Sequence, residues 1–154
     1  MKTYLLAVIS ALLLFSCAES VREQEKTAPK FAAKALVAIS LSGCYEMVIM
    51  GDSAFMNLVQ NNDNLSGTLV YKRKEKDSNK GNVVLTKLND RAEGYYTFQS
   101  EGRTSVRQIV FKINGDAFAE GYGNIEMKND TAVLKYPHAL NFEEKHTFNK
   151  VNCK

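Results

Sequence analysis

The sequence predicts an all-β domain: an antiparallel up-and-down meander of eight or nine strands closed into a small barrel. Three observations predict it. From Leu41 onward, turn-forming clusters recur at short intervals. The runs between them are rich in Val, Ile, Tyr, Phe and Thr and are mostly of strand length. No clear crossover helix interrupts the series, and the connections are short enough for hairpins, which favours antiparallel pairing of neighbours. Closure then removes the exposed edges that an open meander would keep.

The first 40 residues stand apart from that pattern. Lys2 supplies a positive start, Leu5 to Phe15 is an almost unbroken apolar run, and the small residue Ser16 precedes Cys17. These are the parts of a secretory signal, and an apolar core of about 11 residues is too short for a bilayer, which takes about 20. Leu14-Phe15-Ser16-Cys17 resembles the lipobox of bacterial lipoprotein precursors, where a Leu-x-[Ser/Ala/Gly]-Cys box is cut before a cysteine that receives a diacylglycerol. Leu14, Ser16 and Cys17 match the box, while bulky Phe15 is less typical of it. The resemblance implies lipid attachment at Cys17 and a place in the cell envelope. Ala18 stands where an inner-membrane retention signal has Asp, which by the same resemblance implies the outer membrane. Two or three acyl chains anchor stably where one is marginal. The alternative is ordinary secretion, with Cys17 left in the removed peptide.

Residues 18 to 28 are polar, with nothing to pack, and are expected to form a flexible tether. In Pro29 to Ile39, the residues Phe31, Ala32, Ala35, Leu36 and Ile39 fall at helical spacing, with Pro29 suited to a first turn. A short helix is expected there, or else tether running straight into the first strand.

The 137 residues after Cys17 suffice for one domain with a modest core. A formal net charge of +3, one unit of it from Lys2, is too near neutral to argue for nucleic acid or another polyanion. Two cysteines remain besides Cys17, Cys44 and Cys153. In an exported chain they are most simply one disulfide, two buried thiols being the alternative. Closing so long a loop contributes about 4 to 5 kcal/mol through chain entropy.

Turn signals fall at Gly51-Asp52-Ser53, Asn61 to Asn64, Asp77 to Gly81, Asn89 to Glu93, Ser100-Glu101-Gly102, Asn114-Gly115 and Lys128-Asn129-Asp130. The strands between them are 41–50, 54–60, 65–74, 82–88, 94–99, 104–113, 116–127, 131–136 and 146–152. A Cys44–Cys153 bond would tie the first strand to the last, where closure must occur. Ser42-Gly43-Cys44-Tyr45 at the head of this meander is similar to the start of lipocalin-like (calycin-type) barrels, which begin Gly-x-Trp. Tyr45 replaces the tryptophan, and the chain has no tryptophan at all. The resemblance implies architecture over residues 41 to 154 and no substrate.

Asn114-Gly115 is the strongest short hairpin signal. A two-residue turn there puts Arg107, Ile109, Phe111, Ile113, Asp116, Phe118, Glu120 and Tyr122 on one face, assigned to the interior because it holds the aromatics. Arg107 and Glu120 are then diagonal neighbours. An inward arginine with a carboxylate and the Tyr122 phenol beside it resembles the way several lipid-binding barrels hold an acidic headgroup. The chemistry is that of a guanidinium fork binding carboxylate in a low-dielectric cavity. The competing reading is a structural ion pair near the barrel mouth.

Other motifs are weaker. Gly51-Asp52-Ser53 resembles the start of the Gly-Asp-Ser hydrolases, which would make Ser53 a nucleophile, but those enzymes need an Asp-x-x-His near the C-terminus. Glu143-Glu144-Lys145-His146 does not match it, and the alternating βα pattern is missing. His138 and His146 could ligate a metal with Glu143 or Glu144, but no structural-site spacing is present, and surface histidines are expected. Lys72-Arg73-Lys74-Glu75-Lys76-Asp77 reads as a solvated hairpin tip whose basic bias could touch phospholipid headgroups. The tyrosines Tyr45, Tyr71, Tyr95, Tyr96, Tyr122 and Tyr136 read as core and rim. Gly121-Tyr122-Gly123 marks a bend or close packing.

The expectation that follows is a non-enzymatic, lipid-anchored envelope barrel binding a small apolar or amphiphilic ligand, without cofactor, metal or nucleic acid. A second expectation is a protein-interaction or inhibitor module of the envelope, similar to the lysozyme-inhibiting lipoproteins. A hydrolase using Ser53 is the weakest of the three.

Overall fold

The computed structural model describes residues 39–74 and 76–153. The signal segment, the lipobox with Cys17, the tether and all but the last residue of the expected helix lie outside the described residues. The described chain forms ten strands: β1 (Gly43–Ile49), β2 (Asp52–Asn61), β3 (Asn64–Arg73), β4 (Lys76–Leu88) and β5 (Arg91–Ser100), then β6 (Arg103–Asn114), β7 (Ala117–Tyr122), β8 (Ile125–Lys128), β9 (Thr131–Leu134) and β10 (Asn141–Val151).

Eight of them, β1 to β7 and β10, close an antiparallel barrel: each neighbour pairs with the next through β5–β6, β7 pairs with β10, and β10 with β1. The expected all-β meander is therefore present and closed. The other two, β8 and β9, form a hairpin hung on β6 by a short parallel pairing at Val106 and Arg107. The expected strand 116–127 is thus two strands, with Gly123 and Asn124 outside both. Gly121 explains the close packing next to that break. A Cβ there would sit 2.7 Å from Phe142 Cε1 and 2.9 Å from Leu140 Cδ1.

Two-residue turns set most of the register. Met50 and Gly51, Glu101 and Gly102, and Asn129 and Asp130 all have positive φ, the pattern of type I′ turns that match strand twist. At the β6–β7 hairpin, Asn114 pairs with Ala117, so the turn residues are Gly115 and Asp116 rather than Asn114 and Gly115. The slip advances the pairing by a full pleat and leaves parity unchanged, so the assigned faces stand. Asp116 is the exception, displaced from the interior face into the turn. The expected turn at Asp77 to Gly81 is absent: these residues lie within β4, and β3 instead turns after Arg73, which pairs with Lys76. Gly81 is needed there because a Cβ would run into the Thr97 carbonyl oxygen across the β4–β5 ladder.

The barrel is plugged at one end and open at the other. Leu41, Tyr45, Leu58, Leu65, Leu85, Phe111 and Phe118 are all fully buried toward the end where β1 begins. Tyr45 donates its hydroxyl to the Leu41 carbonyl at 2.8 Å and packs edge-on to Phe118 at 4.9 Å. Phe111 also meets Phe118 and Phe148 edge-on. Each fully buried phenylalanine contributes about 1.5 to 3 kcal/mol. Cys44 and Cys153 are bonded, with Cα atoms 5.2 Å apart, beside the first β1–β10 pair, Cys44 with Val151. The bond thus lies on the closing seam, as the cysteine positions imply.

That seam is short. β1 pairs with β10 only through Cys44, Tyr45 and Glu46, while Met47, Val48 and Ile49 pair with β2 alone. On its other side, β10 bulges between Phe142 and Thr147 before its ladder with β7 resumes at Phe142 with Gly121. The wall of the barrel therefore parts toward the open end, and this parting shapes the site.

Candidate functional site

A cavity of about 620 Å³ occupies the open end. Met47, Ile49 and Met50 give it an apolar side from β1 and its turn. Tyr71, Lys72 and Arg73 come from the end of β3, Lys74 from the turn after it, and Asp52 and Ser53 from the start of β2. Arg107, Tyr122 and His146 close it from β6, β7 and β10.

At its inner wall lies a polar cluster around Glu120, which is 1% exposed and the only buried charged residue among those described. A carboxylate so buried must be paired and hydrogen-bonded. Arg107 Nη2 donates to Glu120 Oε1 at 3.0 Å, and the hydroxyls of Tyr71 and Tyr122 donate to Oε2 at 2.8 and 3.0 Å. The expected Arg107–Glu120 contact is present, although Glu120 pairs with Phe111 rather than nearer Arg107. The length of the arginine covers the extra pleat.

The Arg107 guanidinium lies 5.1 Å from the Tyr71 ring centre and 5.6 Å from that of Tyr96, so two aromatic faces orient it. Its side chain remains 28% exposed toward the cavity. Glu120 is its single hydrogen-bond partner among the described residues. Burial alone would lower the Arg107 pKa, but the Tyr71, Glu120 and Tyr122 oxygens outweigh this and hold it up.

The tyrosines are kept neutral. Burial, then the Glu120 charge, raises Tyr71 well above 10; the same two causes raise Tyr122, with Arg107 and Arg73 opposing. The Arg73 guanidinium thus acts on the same inner wall as Arg107. Burial pushes Tyr96 up to about 12, against the Arg107 charge, and pushes Tyr45 up to about 12 with help from Asp116. Raised folded-state values mean that stability is intact below the free-tyrosine pKa of about 10 and is lost as pH rises through about 12. Ultraviolet titration of phenolate is expected to show Tyr45 and Tyr96 ionising together with loss of β circular dichroism. Their ionisation near pH 10 with the fold intact would contradict this.

The bulge in β10 brings His146 to the cavity. Its ring lies 4.3 Å from that of Tyr122, and it is part-buried rather than on the surface as expected. Its Nδ1 has no hydrogen-bond partner, Glu143 Oε2 being 3.8 Å away. His138 is exposed, as expected, beside Tyr136. Ser53 shares the cavity lining with His146, yet no hydrogen bond joins them among the described residues, and Ser53 alternates with buried Ala54 along β2. An activated serine needs its base within hydrogen-bond reach and that base oriented by a third group.

Arg107, Glu120 and Tyr122 are the expected members of the site, and Tyr71, Tyr96, Arg73 and His146 join them in the structure. For Tyr71 and Arg73 the signal was available: Leu65, Leu69, Tyr71 and Arg73 share one parity in β3, and the leucines face inward. Lys72 to Lys74 are exposed, as expected, but only Lys74 lies in the turn, Lys72 and Arg73 belonging to β3, and all three line the cavity.

Fold and site together define a small closed antiparallel barrel with a plugged base and a charged, part-open mouth. No protein-family model matches the chain, and neither a curated protein nor a solved structure matches it.

Proposed function

We propose that this protein is a non-enzymatic, lipid-anchored barrel of the cell envelope that binds a small amphiphilic ligand at its open end. The observation that supports it is the mouth cavity, apolar along β1 and cationic opposite, with the Arg107 guanidinium held at its inner wall by Tyr71, Tyr96 and Glu120. The plugged base confines the ligand to that end, so the apolar part lies against Met47, Ile49 and Met50 and the polar part against Arg107. Anchoring rests on the lipobox resemblance at Cys17, and Ala18 favours the outer membrane.

Native mass spectrometry of protein purified from its own membrane tests the ligand. The expected result is a co-purifying small molecule that is absent from Ile49→Trp, whose ring would fill the cavity. Wild-type protein that carries no added mass and takes up no amphiphile would remove this reading.

An interaction module is the second reading, favoured by one feature. β8 ends the sheet, and its Ile125 and Met127 are about two-thirds exposed, at 61% and 66%. An apolar end strand is a template for pairing with another chain.

A further inference from the structure

The mouth cavity carries more positive charge than a monoanionic ligand needs. Lys72, Arg73, Lys74 and Arg107 line it, against Asp52 as the single carboxylate of the lining. Asp52 already accepts the Lys74 backbone N–H at 2.9 Å. The Glu120 charge behind the wall is matched by Arg107 and two phenols. Among the residues whose side chains are described, Glu75 and Asp77 not being among them, no ion pair involves Lys72, Arg73 or Lys74. The two guanidiniums come from different walls, Arg73 at the end of β3 and Arg107 near the start of β6.

A carboxylate has two oxygens and one charge, and the Arg107 fork alone suits it. A phosphate monoester presents three terminal oxygens and a charge of about −1.5 to −2 near neutral pH, which calls for donors from more than one side. We infer that the ligand bears a phosphate-like dianionic group, held between Arg107 at the inner wall and Arg73 at the rim. This rests on the ligand-binding reading above and names the chemistry of the ligand's head. The group could belong to a lipid or to a soluble phosphate ester.

Calorimetric titration of the full purified chain with three probes tests the inference. Lauroyl lysophosphatidate carries an acyl chain and a phosphate monoester, laurate carries the same chain with a carboxylate, and glycerol 3-phosphate carries the phosphate without the chain. Lysophosphatidate is expected to bind at least about tenfold more tightly than laurate, one added charge-assisted contact being worth that much. Arg73→Gln is expected to remove about that factor for lysophosphatidate and to leave laurate unchanged. Arg73 is exposed at a strand end, so this substitution does not threaten the fold. Glycerol 3-phosphate binding as tightly as lysophosphatidate supports the inference with a soluble ester as the source, and much weaker binding supports it with a lipid. Laurate binding as tightly as lysophosphatidate, or Arg73→Gln affecting both alike, overturns the dianionic assignment and leaves a ligand-binding barrel standing. If none of the probes binds, both readings fall.

Discussion

Removing the disulfide, as Cys44→Ala/Cys153→Ala, is expected to lower stability by about 4 to 5 kcal/mol, close to a small domain's whole margin. The two cysteines are 109 residues apart in sequence, so the bond removes a large loop-closure entropy from the unfolded chain. Local geometry adds to that general effect. Only three residue pairs join β1 to β10, and the ladder stops at Glu46 with Asn149. Every other junction around the barrel joins neighbours in the chain except β7–β10, so this short seam holds the closure with little local help. Urea unfolding of the double variant, beside wild-type protein with and without reductant, measures the loss. Variant and reduced wild type should agree with each other. A loss under about 1 kcal/mol would mean that the seam closes by pairing and packing alone, and that unfolded-state entropy is not what the bond controls.

Local chemistry made most of the strand boundaries legible. Glu101-Gly102 and Asn129-Asp130 turn where their residues suggest, because Gly, Asn and Asp tolerate positive φ. The same rule misled at Asp77 to Gly81: Gly81 serves a close approach between strands, and the chain turns at Lys74, after Arg73, instead. The interior face of β6 and β7 survived an error in register because a slip of one full pleat keeps every side chain on its side. The site was legible only along that one hairpin. Tyr71 meets Glu120 across 49 residues of sequence, and that contact requires a closed barrel with β3 facing β7. His146 depends on a bulge in β10 that no turn residue announces. Neither can be placed until the sheet has curled round.

Arg107→Leu is expected to cost about 3 to 5 kcal/mol, the usual penalty for leaving a buried charge without its partner. The asymmetry of the pair sharpens this. Glu120 is 1% exposed, whereas the Arg107 side chain is 28% exposed and reaches the cavity. Losing the arginine strands an anion inside the barrel, but losing the acid leaves a cation that solvent can still reach. Glu120→Gln should therefore cost clearly less than Arg107→Leu. It keeps an amide oxygen to accept from Tyr71 and Tyr122, and the buried Tyr71 hydroxyl would otherwise lose about 1 to 3 kcal/mol. The double variant Arg107→Leu/Glu120→Gln should recover much of the loss, since no charge remains buried, and chemical denaturation of all three gives the coupling directly. If Arg107→Leu is nearly neutral, the two tyrosines suffice to hold the carboxylate. Arg107 would then be kept in place for what enters the cavity rather than for the stability of the barrel. A large loss rescued by the double variant makes the arginine a counter-ion first. The double variant also retains Arg73 at the rim, so its affinity for lysophosphatidate measures what Arg107 adds to binding in a barrel whose fold no longer depends on it.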